Sequence, residues 1–271
     1  MLSVLCGPSA AGAITLSDVS PLAGAARAFH AYSLASIDNA LAIVANPAGI
    51  AVRPSAEFFM LVTDSDRLRD GDTAFLAKMQ QLGVAYERFR PVEGAARVSR
   101  LTFATGRRVT RSLTIGMSYG WFFSDDDSLA ALSSFDLGVH VRAHSRIAFA
   151  GAAYGYNRPS LGETRIPRHY EAGVELSPIT QWLGLFCEAS MTSEENLAGA
   201  TAAYGAEIEP VAGIVLRGRA DTDGDYRVGF EYNFNQSGYG VVGLYRHSGG
   251  SDGRAGYIRL TDSVYRRGRG Q

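Results

Sequence analysis

Asp221-Thr222-Asp223-Gly224-Asp225 opens like a calcium loop, with alternating carboxylates around a glycine. Such a loop closes on an acidic residue at about its twelfth position. That position is Tyr232, so the oxygen set is incomplete. An Asp-Gly pair between alternating segments reads instead as a hairpin turn. Asp125-Asp126-Asp127 reads as a solvated loop tip, with weak cation binding as the alternative. The histidines are His30, His140, His144, His169 and His247, and none has metal-ligand spacing with another His or a Cys. A Ser–Lys dyad would have to use Lys78, the only lysine, which falls in a predicted strand near a tight turn. No Gly-x-Ser-x-Gly element joins a strand to a helix. Gly249-Gly250 has no helix after it to complete a phosphate cradle. Two cysteines, Cys6 and Cys187, make no disulfide framework. Ser3-Val4-Leu5 is a poor lipoprotein box for Cys6, and Cys187 reads as a small apolar filler in a strand. No catalytic, cofactor or metal residue is assigned, and the chain reads as a non-enzyme.

The totals point to strands. At 271 residues the chain is one large β domain or two small ones. A net charge of −1 leaves no bulk basic surface for nucleic acid. No apolar run reaches the roughly 18 residues of a transmembrane helix. Gly at 31 and Pro at only 9 favour many strands with tight turns over a disordered chain.

Tyr226 to Asn235 sets the pattern. Tyr226, Val228, Phe230, Tyr232 and Phe234 share one face, and Arg227, Gly229, Glu231, Asn233 and Asn235 the other. About ten residues also cross a bilayer as a tilted strand. Candidate strands recur at 55–63, 72–80, 82–90, 97–106, 110–123, 134–144, 146–157, 168–177, 180–191, 198–209, 212–221, 226–236, 238–247 and 254–262. In 146–157 the face is ambiguous, because Ile147 and Phe149 oppose Tyr154 and Tyr156. Longer and shorter connections mostly alternate, as they do in outer-membrane barrels. In lipid every backbone group must be paired internally, so the sheet must close. Closure makes Arg142, Glu171, Glu175, Glu207, Arg217, Arg219, Arg227 and Glu231 lumen-facing. Tyr119, Trp121, Tyr154, Tyr156, Tyr170, Tyr204, Tyr226, Tyr239 and Tyr245 lie near strand ends, where an aromatic girdle would sit; ordinary β-propensity is the alternative.

Leu16 to Ile50 differs, being Ala-rich with few alternating pairs. Asp38 to Ala45 reads as a short helix or turn. In Asn46-Pro47-Ala48-Gly49, Pro47 biases Asn46 away from helix and Gly49 permits an unusual backbone angle. Ala25-Ala26-Arg27-Ala28-Phe29, Asp38-Asn39-Ala40 and Asn46-Pro47-Ala48-Gly49-Ile50-Ala51 together resemble the start of FadL-like outer-membrane barrels. That superfamily includes fatty-acid and hydrocarbon transporters and the PorV and PorQ proteins of a secretion system. The resemblance spans roughly residues 20–262 and implies an N-terminal hatch in the mouth of a 14-stranded sheet. Phe135-Asp136-Leu137-Gly138, Arg168 to Val174 and Tyr226 to Phe230 also resemble the barrel that precedes signal-peptide-peptidase-like domains.

The expectation is an all-β chain forming a single closed antiparallel transmembrane β-barrel of about 14 strands. Residues 1–13 are a truncated signal-peptide remnant, 14–54 the hatch, 55–262 the barrel and 263–271 a basic periplasmic tail. Asn46, Pro47, Ala48 and Gly49 are the gate candidates. Outer-membrane lipid is the expected surrounding, and the expected job is passage or binding of small hydrophobic molecules. The alternatives are a non-transporting scaffold holding secreted proteins or a periplasmic peptidase, and a soluble β-rich binding domain. No cofactor is expected.

Overall fold

A strand with one aromatic and one charged face can satisfy both faces at once by curling with its charges inside. The computed structural model describes residues 31–64, 71–89, 97–124, 132–161, 164–179, 182–195, 199–222, 224–245 and 253–262. Its strands are β1 (Ala56–Asp64), β2 (Thr73–Met79), β3 (Leu82–Phe89), β4 (Val98–Arg108), β5 (Leu113–Ser124), β6 (Ser133–His144) and β7 (Ile147–Tyr154). A two-rung ribbon, β8 (Ser160–Leu161) and β9 (Thr164–Arg165), follows. Then come β10 (His169–Ile179), β11 (Leu183–Thr192), β12 (Thr201–Val211), β13 (Ile214–Asp221), β14 (Tyr226–Phe234), β15 (Ser237–Tyr245) and β16 (Gly253–Thr261).

All except the ribbon join one closed antiparallel sheet. Each strand pairs with its chain neighbours, β7 pairs β10 across the ribbon, and β1 pairs β16 from Glu57↔Thr261 to Asp64↔Arg254. Closure therefore removes the edge that a lipid-exposed sheet could not tolerate. All fourteen strands expected from alternation are present, with ends displaced by no more than three residues. The ribbon was not foreseen, because two-residue strands carry no period.

The two ends of the barrel differ. Strands meet at one end through 80–81, 109–112, 145–146, 180–182, 212–213 and 235–236, and at the other through connections such as 65–72, 90–97 and 155–168. We call these the turn end and the loop end. Residues 31–55 lead into β1, and β16 finishes, at the turn end.

The outer face is greasy. Val228, Phe230, Tyr232 and Phe234 of β14 are 54%, 43%, 44% and 60% exposed, which rules out a sandwich in which they would be buried between layers. Phe103, Trp121 and Tyr119 form an edge-to-face set, with centroids 5.6 and 4.5 Å apart. Cys187 is on this face as well. Tyr154 departs from the expected girdle: it is 4% exposed and points inward. In β7 the inward residues Ala148, Ala150 and Ala152 are small and apolar, so polarity did not reveal which face was which.

Phe230→Arg should lower the unfolding free energy by about 2–4 kcal/mol, the cost of a cation at the bilayer midplane. Urea titration in lipid vesicles measures this, and an unchanged midpoint would take Phe230 away from lipid.

The signal remnant 1–13, the motif at Ala25 to Phe29, Asp125 to Asp127, His30, His247, Gly249-Gly250 and the tail 263–271 lie outside the described residues. Gly224 adopts φ 88°, consistent with the turn expected at Asp223-Gly224.

Candidate functional site

Residues 31–54 lie inside the barrel and are almost wholly buried. Their composition explains why they fit. Ala40, Ala42, Ala45 and Ala48 keep the segment thin, while Ile37, Leu41, Ile43 and Ile50 give it apolar contact. A single helical turn, α1 (Ala42–Ala45), ends where Pro47 holds Asn46 extended at φ −151°, ψ 97°. A 3₁₀ turn over Pro47–Ala51 follows, with Asn46 as its N-cap accepting from the Ala48 N–H at 3.2 Å. Gly49 is required for space rather than for an unusual backbone angle: a Cβ there would sit 2.1 Å from the Ile37 carbonyl oxygen.

The wall beneath this turn carries a row of glycines. Gly106 on β4 pairs with Gly116 on β5, which pairs with Gly138 on β6. A Cβ on Gly106 would lie 2.8 Å from the Pro47 oxygen, and one on Gly116 2.2 Å from the Pro47 carbonyl carbon. On Gly138 it would lie 2.2 Å from Asn46 Oδ1. The turn therefore rests on bare backbone. The Asn46 amide donates to the Val139 carbonyl at 3.3 Å, fixing it along the row.

Irregular backbone at membrane depth needs partners other than water. Wall side chains provide them. Glu57 accepts from the Ala40 N–H at 3.0 Å, and Glu188 from that of Leu34. Lys78 donates to the carbonyls of Asp38 and, at 2.9 Å, Arg53. His140 Nε2 meets the Ala35 carbonyl at 3.0 Å, and the Tyr154 hydroxyl donates to that of Ala45. Sequence reading missed all five of these residues as ties to the segment. For all but Tyr154 the signal was present as strand parity, as where Lys78 shares its face with Leu76 and Ala74.

Tyr32 anchors the start of the described segment. Its hydroxyl donates to Glu231 Oε2 at 2.6 Å, and Arg217 Cζ lies 3.9 Å from its ring centroid. Glu231 also accepts from Tyr257 at 2.5 Å, Arg217 at 2.8 Å and Arg259 at 3.0 Å. Arg217 Nε reaches Glu207 at 2.7 Å.

The other expected lumen residues lie around this network. Arg219 donates to Glu188 and stands opposite Arg227. Glu171 lies 3.1 Å from the Tyr154 hydroxyl and 3.1 Å from His169 Nε2. Glu175 and Arg142 border a cavity of about 610 Å³ at the turn end, which Tyr32 and Glu231 also line.

The interior is not uniformly polar. Phe59, Leu61, Leu76, Val242 and Tyr257 point inward and pack on the segment, with Phe59 and Tyr257 stacked at 4.9 Å. An apolar segment requires an apolar strip to lie on. At the loop end Phe89, Val98, Phe122, Leu132 and Ile166 form a second buried cluster. The Arg100–Glu87 pair lies beside it, with the guanidinium carbon 5.6 Å from the Phe89 ring centroid and 5.7 Å from that of Phe122.

No family model matches the sequence, and no curated protein matches it either. Solved structures do. The Ralstonia pickettii toluene transporter TbuX superposes with a TM-score of 0.61 at 12% identity, covering 93% of this chain and 100% of that one. The CymD monoaromatic hydrocarbon channel superposes with a TM-score of 0.57 at 10% identity, covering 87% and 96%. The fold is FadL-like. At such identities the likeness extends to architecture alone. Within a FadL-like barrel, the glycine row and the tied segment are features of these particular residues.

Proposed function

We propose that the protein is a non-enzymatic outer-membrane channel for small hydrophobic molecules, with residues 31–54 as its hatch. The observation that carries this is the seating of Asn46, Pro47, Ala48 and Gly49 on Gly106, Gly116 and Gly138 inside the lumen. A turn resting on bare backbone interlocks few side chains with the wall, the Asn46–Val139 bond among them, so this turn is the gate. The apolar cluster at the loop end supports the ligand class, because it makes the packing within the barrel mouth apolar. The shared fold of TbuX and CymD, a toluene transporter and a hydrocarbon channel by name, supports it as well. Arg142, Glu171, Glu175, Glu207, Arg217, Arg219, Arg227 and Glu231 set the polarity of the remaining lumen.

Uptake of a radiolabelled monoaromatic into proteoliposomes tests the reading. Entry well above that of protein-free vesicles is expected. No entry, together with no bound hydrophobic molecule in the purified protein, would remove the transport function. The many ties between wall and segment favour a second reading, a sealed scaffold for secreted proteins or a periplasmic peptidase, and a stoichiometric co-purifying partner would select it.

A further inference from the structure

The turn end is built for positive charge. None of its connections, 80–81, 109–112, 145–146, 180–182, 212–213 and 235–236, contains Asp or Glu, and two of them contribute Arg111 and Arg146. The loop-end connections mix both signs, with Asp66, Asp70, Glu93 and Asp125 to Asp127 beside arginines such as Arg67, Arg69, Arg90 and Arg158. Around the turn-end cavity Arg53, Arg108, Arg111, Arg142 and Arg146 converge from the segment's exit and from two hairpins. The hairpins are joined at the rim, where the Arg142 N–H donates to the Ser112 carbonyl at 2.8 Å. Arg108 donates to the Val52 carbonyl at 2.6 Å, a neutral acceptor. Among the described residues no carboxylate lies within ion-pair distance of Arg108, Arg111, Arg142 or Arg146. Four carboxylates, Asp38, Glu175, Glu207 and Glu231, share the lining with seven arginines, and of these Glu207 and Glu231 are engaged by Arg217 and Arg259. Ser112, Ser145 and Ser177 add hydroxyl groups to the lining.

Guanidinium groups that outnumber the carboxylates around them repel one another, and their planar donor forks match oxyanions. We infer that this vestibule is a binding site for a small, multiply charged oxyanion, either a phosphate ester or a polycarboxylate. The cavity, about 610 Å³, is of small-molecule size. Its field draws such an anion to the turn end, where Arg111 and Arg146 form the outer contact and Arg142 the inner one. The inference does not rest on passage of hydrophobic molecules.

Isothermal titration of the full chain in a nonionic detergent tests it, with pyrophosphate in one arm and tricarballylate in the other. Saturable binding is expected in at least one arm, and the arm that responds identifies the source chemistry. The exposed-turn variant Arg111→Ser/Arg146→Ser should weaken binding roughly tenfold or more, while Arg88→Ser, on the outer face at the loop end, should not. Binding in neither arm, or binding indifferent to Arg111 and Arg146, overturns the site. Monoaromatic uptake measured on the same double variant keeps the two readings separate, since it should be retained.

Discussion

Gly116→Leu is expected to unseat the inner segment and open the lumen while the barrel stays closed. The glycine lies in the middle of a three-strand row, and a side chain there would overlap the Pro47 carbonyl carbon. Neither backbone can change shape locally. The wall is fixed by ladder pairing on both sides, and the turn by the extended Asn46 and the proline after it. The lighter element therefore moves. Overpacking of this kind typically costs about 1–3 kcal/mol when a core can adjust. Here displacing the turn also breaks the Asn46–Val139 bond, and leaving a buried polar group unpaired costs about 1–3 kcal/mol more. Permeation of small polar solutes in a liposome-swelling assay should rise by about an order of magnitude, since roughly 1.4 kcal/mol is a factor of ten in the open population. Heat-modifiable gel migration should remain. Gly120→Leu on the same strand is the comparison, because a Cβ there approaches no atom closer than 3.2 Å and meets wall side chains only. If Gly116→Leu leaves swelling unchanged, the row is not the seat of a movable gate.

The barrel was legible in the sequence, and the seat was not. Strand alternation is local, so Phe230 and Glu231 declare opposite faces from their own neighbours. Turn signals are local too, which is why the fourteen segments lie close to their observed ends. The glycine row is a property of register. Gly106, Gly116 and Gly138 become neighbours only once two hairpins of particular length have been closed. Likewise Glu57, Lys78 and Glu188 look like ordinary inward charges until the backbone of residues 34–53 is placed against them. Gly49 shows the same limit. Its need is a contact with Ile37, twelve positions earlier, and no local conformational rule points there. Tyr154 failed for a different reason, because a strand of small apolar residues offers no contrast between its faces.

The buried charge network makes the other large prediction. Glu231 is fully buried and accepts from two guanidinium groups and two phenols. Glu231→Gln removes the negative charge and leaves Arg217 and Arg259 facing each other across a neutral amide. Breaking a buried ion pair from one side typically costs about 3–5 kcal/mol, because the remaining charge is left uncompensated. Arg217 keeps Glu207, which should hold the loss toward the lower part of that range. Tyr32→Phe removes only one charge-assisted hydrogen bond and keeps the ring under Arg217, so it should cost about 1.5–3 kcal/mol. The two variants should also differ in where they act. Tyr32→Phe should speed amide hydrogen exchange mainly near residues 31–41, because it cuts the segment's tie and spares the wall. Glu231→Gln should loosen both that stretch and the adjoining strands β13, β14 and β16, which carry the other partners. Adding Arg259→Gln to Glu231→Gln should recover part of the lost stability, since one unmatched cation goes with it. If Glu231→Gln proves no more costly than Tyr32→Phe in a urea titration, the network serves the segment's attachment alone, and charge compensation is not what holds this side of the wall.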